Sequence, residues 1–423
     1  MNLSRADFFE PDEGRNAEKA REILLLNDWV TPHENFLPVL DKPMFFYWLV
    51  ALSYKIFGVT EWSARLPSTV FALGCLFLVY HFARQWWGSW AAMWSALILL
   101  TSVEFFLLAR LVILDTTLTF CVTLALCSFY SVLHSENEKA KRIHCLLLYG
   151  ALGIGTLIKG LIGLIIPGMV GFVYLLVSNK WSTLRRLYLL PGALLFFVII
   201  VPWYLWVDVR NPGYLRYYLW DEHLTRYLTD EFKREESWFY FFMVLAAGFL
   251  PWTLSLPFVA KDLWQRLDDK NIFLIVWVVL PFLFFSFSSS KLPQYLLPIY
   301  PPLALLSGQT IASLFNKPKS KDRRLLYLPW IFTAGFVLYL FIGGLWRHLL
   351  PQPIRNSVSE NLFFIGSSTA AMALIFGGFA GANLKGYGRN QLAAYLCTCA
   401  GIALFFLLVG QLMVTASASR SAK

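Results

Sequence analysis

The chain has 423 residues, of which 57% are hydrophobic and 15% are charged. A soluble globular domain carries about 25% charged residues, so this composition excludes an ordinary soluble protein. The net charge of +10 does not indicate nucleic-acid binding, because the basic residues lie in short loops between apolar runs.

Apolar runs of about 20 residues recur along the chain, and this is the length of helix that crosses a bilayer core. No stretch of about ten residues alternates between polar and apolar side chains as a membrane strand does. We therefore expect an all-α polytopic membrane protein.

The first 65 residues interrupt this apolar character. Residues 11–26 are predicted to form a surface helix, because Pro11 suits a first helical turn and apolar residues then repeat every three to four positions. Residues 45–57 are rich in aromatic side chains and too short to span, which is typical of an interfacial helix. We interpret residues 1–65 as an extracytoplasmic loop that forms one wall of a membrane-surface active site.

The remaining chain is predicted to contain twelve transmembrane spans, some separated only by helix breakers such as Gly88 and Gly160. The spans cover residues 66–84, 88–108, 111–133, 143–158, 160–178, 187–207, 239–259, 271–288, 292–314, 325–345, 361–381 and 391–414. They divide into a transmembrane module at 66–207, an outer loop at 208–238 and a C-terminal transmembrane module at 239–423.

Basic residues predict the orientation of these spans. Loops after the odd-numbered spans hold most of the loop lysines and arginines, and such loops remain in the cytoplasm. The N-terminal segment and the outer loop are then extracytoplasmic, so the expected location is the plasma (inner) membrane with a periplasmic active site. Because residues 1–65 are too basic to cross a bilayer unaided, we expect either a start codon upstream of Met1 or a truncated relative.

Six stretches, in matching order up to about Leu306, resemble one family of enzymes. They are PDEGRNAEKAREIL, NDWVTPHENFLPVLDKPMFFYWLVALSYKIFGVTEWSARLPS, ARLVILDTTLTF, GTLIKGLIGLIIPG, DEHLTRYLTDEFKREESWFYF and SSSKLPQYLLPIYPPLALL. Together they are similar to the bacterial protein O-mannosyltransferase-like and aminoarabinose lipid A transferase-like glycosyltransferases. The resemblance implies a GT-C-like bundle of about twelve transmembrane helices whose N-terminal segment faces outward.

The resemblance also implies a reaction. Such an enzyme takes a sugar from a polyprenyl phosphate carrier and transfers it to a lipid, glycan or protein acceptor outside the cytoplasm. The transfer needs a carboxylate that deprotonates or orients the acceptor, and cations that hold the leaving phosphate. No nucleotide leaves, so no nucleotide-binding motif is required, and the sequence contains none.

Two motifs of the N-terminal segment supply site residues by resemblance. Asp12 aligns with the family's loop aspartate and is the candidate catalytic carboxylate, with a plain helix cap as the alternative. Asp41-Lys42-Pro43 matches a Glu-Lys-Pro motif, so we expect Lys42 to bind the carrier phosphate. Asp41 is a weak candidate metal ligand, because its side chain is short and no His-rich spacing accompanies it. The sequence requires no cofactor, and a divalent metal has no support.

Three further charged residues are candidates on chemical grounds. Glu13 is a second candidate catalytic carboxylate, although acids are common in a first helical turn. Arg15 is expected to hold Asp12 or a phosphate oxygen. Asp115 lies at the mouth of a span and is expected either to act in catalysis or to pair with Arg110.

Residues from the later loops are expected to contact the donor phosphate. Lys159, between two short apolar runs, is a candidate phosphate-side cation. His223 and Arg226 share one face if the outer loop is helical, and the planar guanidinium of Arg226 suits a phosphate. Lys291 aligns with a family position that faces the carrier phosphate, and Tyr295 is expected to line the same groove.

Other functions are compatible with a polytopic protein of this kind. A transporter or flippase for lipid-linked sugars suits twelve spans, but such proteins usually contain two related halves, and the sequence shows no internal repeat. A lipid-linked oligosaccharide ligase or polymerase would use different acceptor chemistry, and a non-catalytic scaffold would need no site. The partners expected for a glycosyltransferase are the polyprenyl phosphate-linked sugar, the acceptor and the bilayer, with no nucleic acid.

Overall fold

The computed structural model describes residues 12–218 and 236–316, and within these ranges the chain is mostly helical. The predictions that lie outside the described residues concern residues 1–11, residues 219–235 of the outer loop, with His223 and Arg226, and the spans 325–345, 361–381 and 391–414.

Two helices and a short hairpin form the N-terminal part, and both helices predicted there are present. Helix α1 covers Asp12–Leu26 and helix α2 covers Phe45–Phe57. Between them, strands β1 (His33–Glu34) and β2 (Leu37–Pro38) pair antiparallel around a two-residue turn. Both turn residues have positive φ angles, as tight hairpins of this type require.

Helices make up most of the rest of the described chain. Their bounds are α3 Glu61–Trp87, α4 Ser89–Thr101, α5 Val103–Leu108, α6 Leu114–His134, α7 Glu138–Lys159, α8 Ile162–Val177, α9 Leu189–Arg210, α10 Tyr214–Arg216, α11 Tyr240–Gly248, α12 Leu256–Gln265, α13 Asp269–Ser286 and α14 Tyr300–Asn316. Short 3₁₀ segments cover Trp181–Leu187, Trp252–Ser255 and Pro293–Ile299. In the described part, five helices (α3, α6, α7, α9 and α13) are long and apolar enough to cross a membrane, or six spans if the bent α11–α12 pair is one.

Three predicted spans are broken rather than continuous. Residues 88–108 form α4 and α5 with a break at Ser102. Residues 239–259 include a bend of 102° after α11, and residues 292–314 begin as a 3₁₀ segment before α14. Hydropathy reports how well a segment partitions into lipid and not whether its helix is continuous, so the apolar composition of these runs conceals the breaks.

The broken ends satisfy each other's hydrogen bonds. The backbone N–H of Val103 donates to the Leu250 carbonyl at 3.1 Å. The indole N–H of Trp252 donates to Oγ1 of Thr101 at 2.8 Å. Non-helical backbone at membrane depth is stable only where protein groups supply such partners, because water is absent there.

Several helices run between two polar ends of the bundle. Helix α6 has Asp115 in its first turn and ends at His134, about 30 Å away at 1.5 Å per residue. At that far end Asp269 of α13 pairs with His134 at 2.8 Å and accepts hydrogen bonds from Tyr174 and Lys180. We call these four residues (His134, Tyr174, Lys180 and Asp269) the distal cluster. A separation of about 30 Å along α6 is close to the thickness of a bilayer's hydrocarbon core.

Helices α7 and α8 pack backbone to backbone at a pair of glycines. A Cβ atom on Gly163 would lie 2.3 Å from the carbonyl carbon of Gly155 and 2.5 Å from its oxygen. The obstacle is backbone, which cannot rotate away as a side chain does, so only glycine allows this approach.

Gly163→Ala is therefore expected to lower the free energy of unfolding by ~1–3 kcal/mol, because the methyl group overpacks the α7–α8 contact. Gly168→Ala in the same helix is the matched control, since its Cβ would meet nothing within 4 Å. Thermal unfolding midpoints of the purified variants in detergent measure the difference. Equal midpoints for the two variants would contradict the close packing.

Candidate active site

A cavity of about 290 Å³ lies at the end of the bundle where α6 begins. Its wall is built from α1, the loop before α2, the end of α7 and the 3₁₀ segment before α14. The lining residues that the sequence analysis had selected are Asp12, Arg15, Asp41, Lys42, Asp115, Lys159 and Tyr295. The fold thus collects side chains that are up to 283 positions apart, from 12 to 295, around one space.

An ion pair joins the two membrane helices that reach the cavity. Asp115 in the first turn of α6 binds the ammonium of Lys159, the last residue of α7. Gly160 follows with a φ of 70° and ends α7 there. The Lys159 ammonium also lies 4.6 Å from the ring centroid of Tyr295, a cation–π distance. The partner of Asp115 is thus Lys159, which corrects the expected pairing with Arg110.

Helix α1 presents one polar face to the cavity. The lining residues of α1 follow the spacing i, i+3, i+4 and i+7 and are Asp12, Arg15, Asn16 and Lys19. Ala17, Ala20 and Ile23 of the same helix are buried against the bundle. The helix is therefore amphipathic, with its polar face turned to the cavity and its small apolar residues in the core.

Glu13 lies outside the cavity lining, next to the apolar face of α1, and is 1% exposed. Arg65 of α3 donates to its two carboxylate oxygens from Nε at 2.7 Å and from Nη2 at 3.0 Å. The backbone N–H of Val112 donates to the same carboxylate at 3.0 Å. Glu13 therefore attaches α1 to the bundle, and this geometry does not support the catalytic role expected from the sequence.

Arg15 reaches the cavity, but its guanidinium is held by Glu34 of β1 rather than by Asp12. Nε and Nη2 donate to the two carboxylate oxygens of Glu34 at 2.7 and 3.0 Å. These hydrogen bonds raise the pKa of Arg15 above its ordinary value, so the group stays charged. The sequence analysis missed Glu34 because its hairpin has only two residues in each strand, too few to show a strand pattern.

Asp41 is paired with Lys19, a residue that the sequence analysis did not select. The Lys19 ammonium donates to Oδ1 of Asp41 at 2.7 Å, and its side chain is 2% exposed. Burial by itself would raise the pKa of Asp41, but attraction to Lys19 and Lys42 lowers that pKa below its ordinary value. Lys42 donates its ammonium to the Asp41 carbonyl at 2.8 Å. The loop before α2 therefore carries a carboxylate that remains ionised.

Lys291 does not line the cavity, because its ammonium donates to the Glu236 carbonyl at 2.8 Å. The lining residues that sequence reasoning missed include Asn16, Lys19, Tyr47, Tyr217 and Gln294. The first two were detectable, since they stand four and seven positions after Asp12 on one helical face. The other three enter the wall through tertiary packing, which no local pattern reports.

Three carboxylates line the cavity, and two of them, Asp41 and Asp115, already hold ammonium groups. Within residues 12–218 and 236–316, no three His, Cys, Asp or Glu side chains are grouped as a metal site would need. The donors that the wall offers to a ligand are ammonium, guanidinium, amide and phenol groups, which suit the oxygens of a phosphate and a sugar.

Glu13→Gln is expected to lower the free energy of unfolding by about 3–5 kcal/mol, because it removes the carboxylate charge that pairs with the buried Arg65 guanidinium. Glu18→Gln is the matched control on the same helix, since Glu18 and its partner Arg21 are each about a third exposed. That substitution should cost less than about 1 kcal/mol. Denaturation of the two variants in the same detergent compares them, and a Glu13→Gln protein as stable as the control would contradict the attachment described here.

Residues 41–206 match the model of the dolichyl-phosphate-mannose-protein mannosyltransferase family. The chain is also similar to proteins named undecaprenyl phosphate-alpha-4-amino-4-deoxy-L-arabinose arabinosyl transferase. One from Pseudomonas paraeruginosa is 31% identical over 397 residues, which are 93% of this chain and 70% of that protein. One from Aeromonas hydrophila is 32% identical over 326 residues, which are 76% of this chain and 59% of that protein.

Solved structures of a similar transferase superpose on this chain. The crystal structure of ArnT from Cupriavidus metallidurans bound to undecaprenyl phosphate superposes with a TM-score of 0.84 at 29% identity, over 99% of this chain and 75% of that one. The apo structure of the same protein superposes with a TM-score of 0.82 at 28% identity, over 98% of this chain and 74% of that one. The chain therefore belongs to the undecaprenyl phosphate-aminoarabinose arabinosyl transferases, membrane glycosyltransferases that use a lipid-phosphate-linked sugar as donor.

Proposed function

We propose that this chain transfers 4-amino-4-deoxy-L-arabinose from undecaprenyl phosphate to a lipid acceptor of the lipid A type, in the cavity beside α1. The donor is the one for which its Pseudomonas and Aeromonas relatives are named. The observation that carries the proposal is the gathering of carboxylates and cations around one cavity at one end of a membrane bundle.

The charge of the cavity suits this donor. Its wall contains four cations (Arg15, Lys19, Lys42 and Lys159) and three carboxylates (Asp12, Asp41 and Asp115), so its formal charge is +1. The phosphodiester that joins the sugar to its carrier has one negative charge. Those cations are the groups that can hold that charge, and Glu34, which binds Arg15 from outside the lining, brings the formal charge of the whole cluster to zero.

Asp12 is the proposed catalytic carboxylate. An oxygen of the acceptor attacks the anomeric carbon of the sugar, the bond from that carbon to the phosphate oxygen breaks, and the carrier leaves as a phosphate monoester. Asp12 accepts the proton of an acceptor hydroxyl or of a singly protonated acceptor phosphate. Its place on the cavity face of α1 supports this role.

Lys42 and Lys159 are the proposed phosphate-binding residues. Lys159 is already oriented by Asp115 and by the ring of Tyr295, so its ammonium is placed before the donor binds. Asp115 then acts by positioning Lys159. For His223 and Arg226, outside the described ranges, phosphate binding remains the prediction made from the sequence.

We further propose that the chain forms twelve spans in the inner membrane and that the cavity opens to the periplasm. The distal cluster lies beside the basic segments 135–142 and 179–186 at the ends of spans, and such segments stay in the cytoplasm. The cavity is about one hydrocarbon thickness from that cluster. The polar N-terminal segment is accordingly outside.

Asp12→Asn is expected to reduce kcat at least about 100-fold while leaving the affinity for the carrier nearly unchanged, because the amide keeps the shape of the side chain but cannot accept the proton. Purified protein given labelled undecaprenyl phosphate-aminoarabinose and lipid A measures the transfer, with Glu18→Gln as the matched control. Transfer by Asp12→Asn at the control's rate would refute the assigned role. Movement of carrier between leaflets without transfer by the parent protein would favour a flippase.

Cysteines introduced at Asn35 and Glu136 test the orientation, since both positions are exposed and lie at opposite ends of the bundle. Asn35→Cys should react with a membrane-impermeant maleimide in intact spheroplasts, whereas Glu136→Cys should react only after permeabilisation. The parent protein is the control for its own thiols, of which Cys75, Cys121, Cys127 and Cys145 are buried. Labelling of both introduced cysteines from the same side would overturn the proposed topology.

A further inference from the structure

Lys19 is the unexplained charge of the site. It stands on the cavity face of α1, yet its side chain is only 2% exposed. Burying an ammonium group is costly unless several groups compensate for the lost water. The contacts of Lys19 should therefore reveal why the protein places a positive charge there.

Three elements converge on the Lys19 ammonium. Asp41, from the loop before α2, accepts its hydrogen bond at 2.7 Å. Glu34 of β1 lies 3.7 Å away, and the ring centroid of Tyr47 in α2 lies 5.5 Å away. Two carboxylates and an aromatic face around one positive charge are the surroundings that proteins provide for a bound cation, and here the cation is part of the chain.

The contacts extend into a ladder of alternating charge. Glu34 is shared between Lys19 and Arg15, which stands one helical turn earlier on α1. The order along the ladder is Arg15, Glu34, Lys19 and Asp41. Since its members come from α1, from β1 and from the loop before α2, the ladder fixes all three segments relative to each other.

Asp41 connects this ladder to the proposed phosphate-binding residue. Lys42 follows Asp41 directly, and its ammonium donates to the Asp41 carbonyl at 2.8 Å. Holding the Asp41 side chain therefore also holds the peptide from which Lys42 extends into the cavity. Without Lys19, the two partly buried carboxylates of Glu34 and Asp41 would repel each other, and the repulsion would favour movement of the loop away from the wall.

We propose that Lys19 is a positioning residue for donor binding: its ammonium bridges Asp41 and Glu34 and thereby places Lys42 for the phosphate of the lipid carrier. The proposal rests on the proposed function for the class of donor. Beyond that function, the proposal states that the positive charge that neutralises Asp41 comes from a side chain of the protein, Lys19.

Lys19→Met keeps most of the side-chain volume but removes the charge. It should raise the KM for the donor and the Kd for undecaprenyl phosphate at least about 10-fold, with kcat changed less than about 3-fold, because Asp12 is untouched. Lys141→Met is the matched control: Lys141 is also largely buried and paired with an acid, Glu138, but lies at the distal end of α7. The control should bind the carrier as the parent does.

A second pair of variants separates positioning from folding. If Lys19→Met unfolds, Lys19→Met combined with Asp41→Asn removes both charges and should restore the fold. The double variant should still bind the carrier weakly. In Lys19→Ala, ethylammonium chloride should restore carrier affinity where sodium chloride at the same concentration does not, because the amine can enter from the cavity that Lys19 lines.

The outcomes are distinct for the two proposals. Binding of undecaprenyl phosphate is measured without any sugar. A parent protein that binds the carrier but transfers no aminoarabinose therefore contradicts the proposed function. The role of Lys19 is still tested in that case, by comparing the Kd for the carrier between Lys19→Met and the parent. Parent-like carrier affinity in Lys19→Met, or in the double variant, overturns the role of Lys19. A loss of affinity equal to that of Lys141→Met overturns it as well, because the effect would then be a general loss of stability.

Discussion

The ion pair between Glu13 and Arg65 attaches a polar surface helix to an apolar bundle, and the cavity depends on that attachment. Glu13 binds the Arg65 guanidinium and the Val112 backbone N–H, so it ties α1 both to α3 and to the loop that enters α6. A buried ion pair adds little net stability compared with apolar packing, but breaking it leaves an uncompensated charge. The pair therefore specifies one position for α1, in which Asp12 and Asp115 line the same cavity.

The bilayer imposes the second constraint. Where helices stop inside a membrane, protein groups must replace water as hydrogen-bond partners. The break between α4 and α5 meets the bend after α11 through the bond from Val103 to Leu250, and the Glu104 carboxylate accepts the Tyr300 hydroxyl where α14 begins. At Gly248 a Cβ atom would lie 2.2 Å from that hydroxyl oxygen, so the three broken segments approach closely. The breaks are thus paired elements of the fold and not weak points in single helices.

Hydropathy and helical periodicity predict much of this architecture, and their failures have physical reasons. The helix at 45–57 is predicted to the residue, because its apolar run is bounded by a proline and a glycine. Adjacency in the sequence predicts a shared role for Asp12 and Glu13, but about 100° of helical rotation separates neighbours, so only Asp12 lines the cavity. The sequence gives no reason to select Lys19 as a site residue, because a helical lysine is usually solvated. Its burial depends on Asp41 and Glu34, which approach only when the hairpin folds back on α1.

The cations of the cavity hold carboxylates before any ligand arrives, and this pairing bears on catalysis. Among the described ion pairs, Arg15 binds Glu34, Lys19 binds Asp41 and Lys159 binds Asp115. Their positions are therefore set in advance, and no reorganisation is needed as the reaction proceeds. Transfer turns a phosphodiester with one negative charge into a monoester with about −1.5 to −2 at neutral pH. Cations fixed in the wall interact more strongly with the leaving carrier than with the intact donor, and a difference of that kind lowers the barrier.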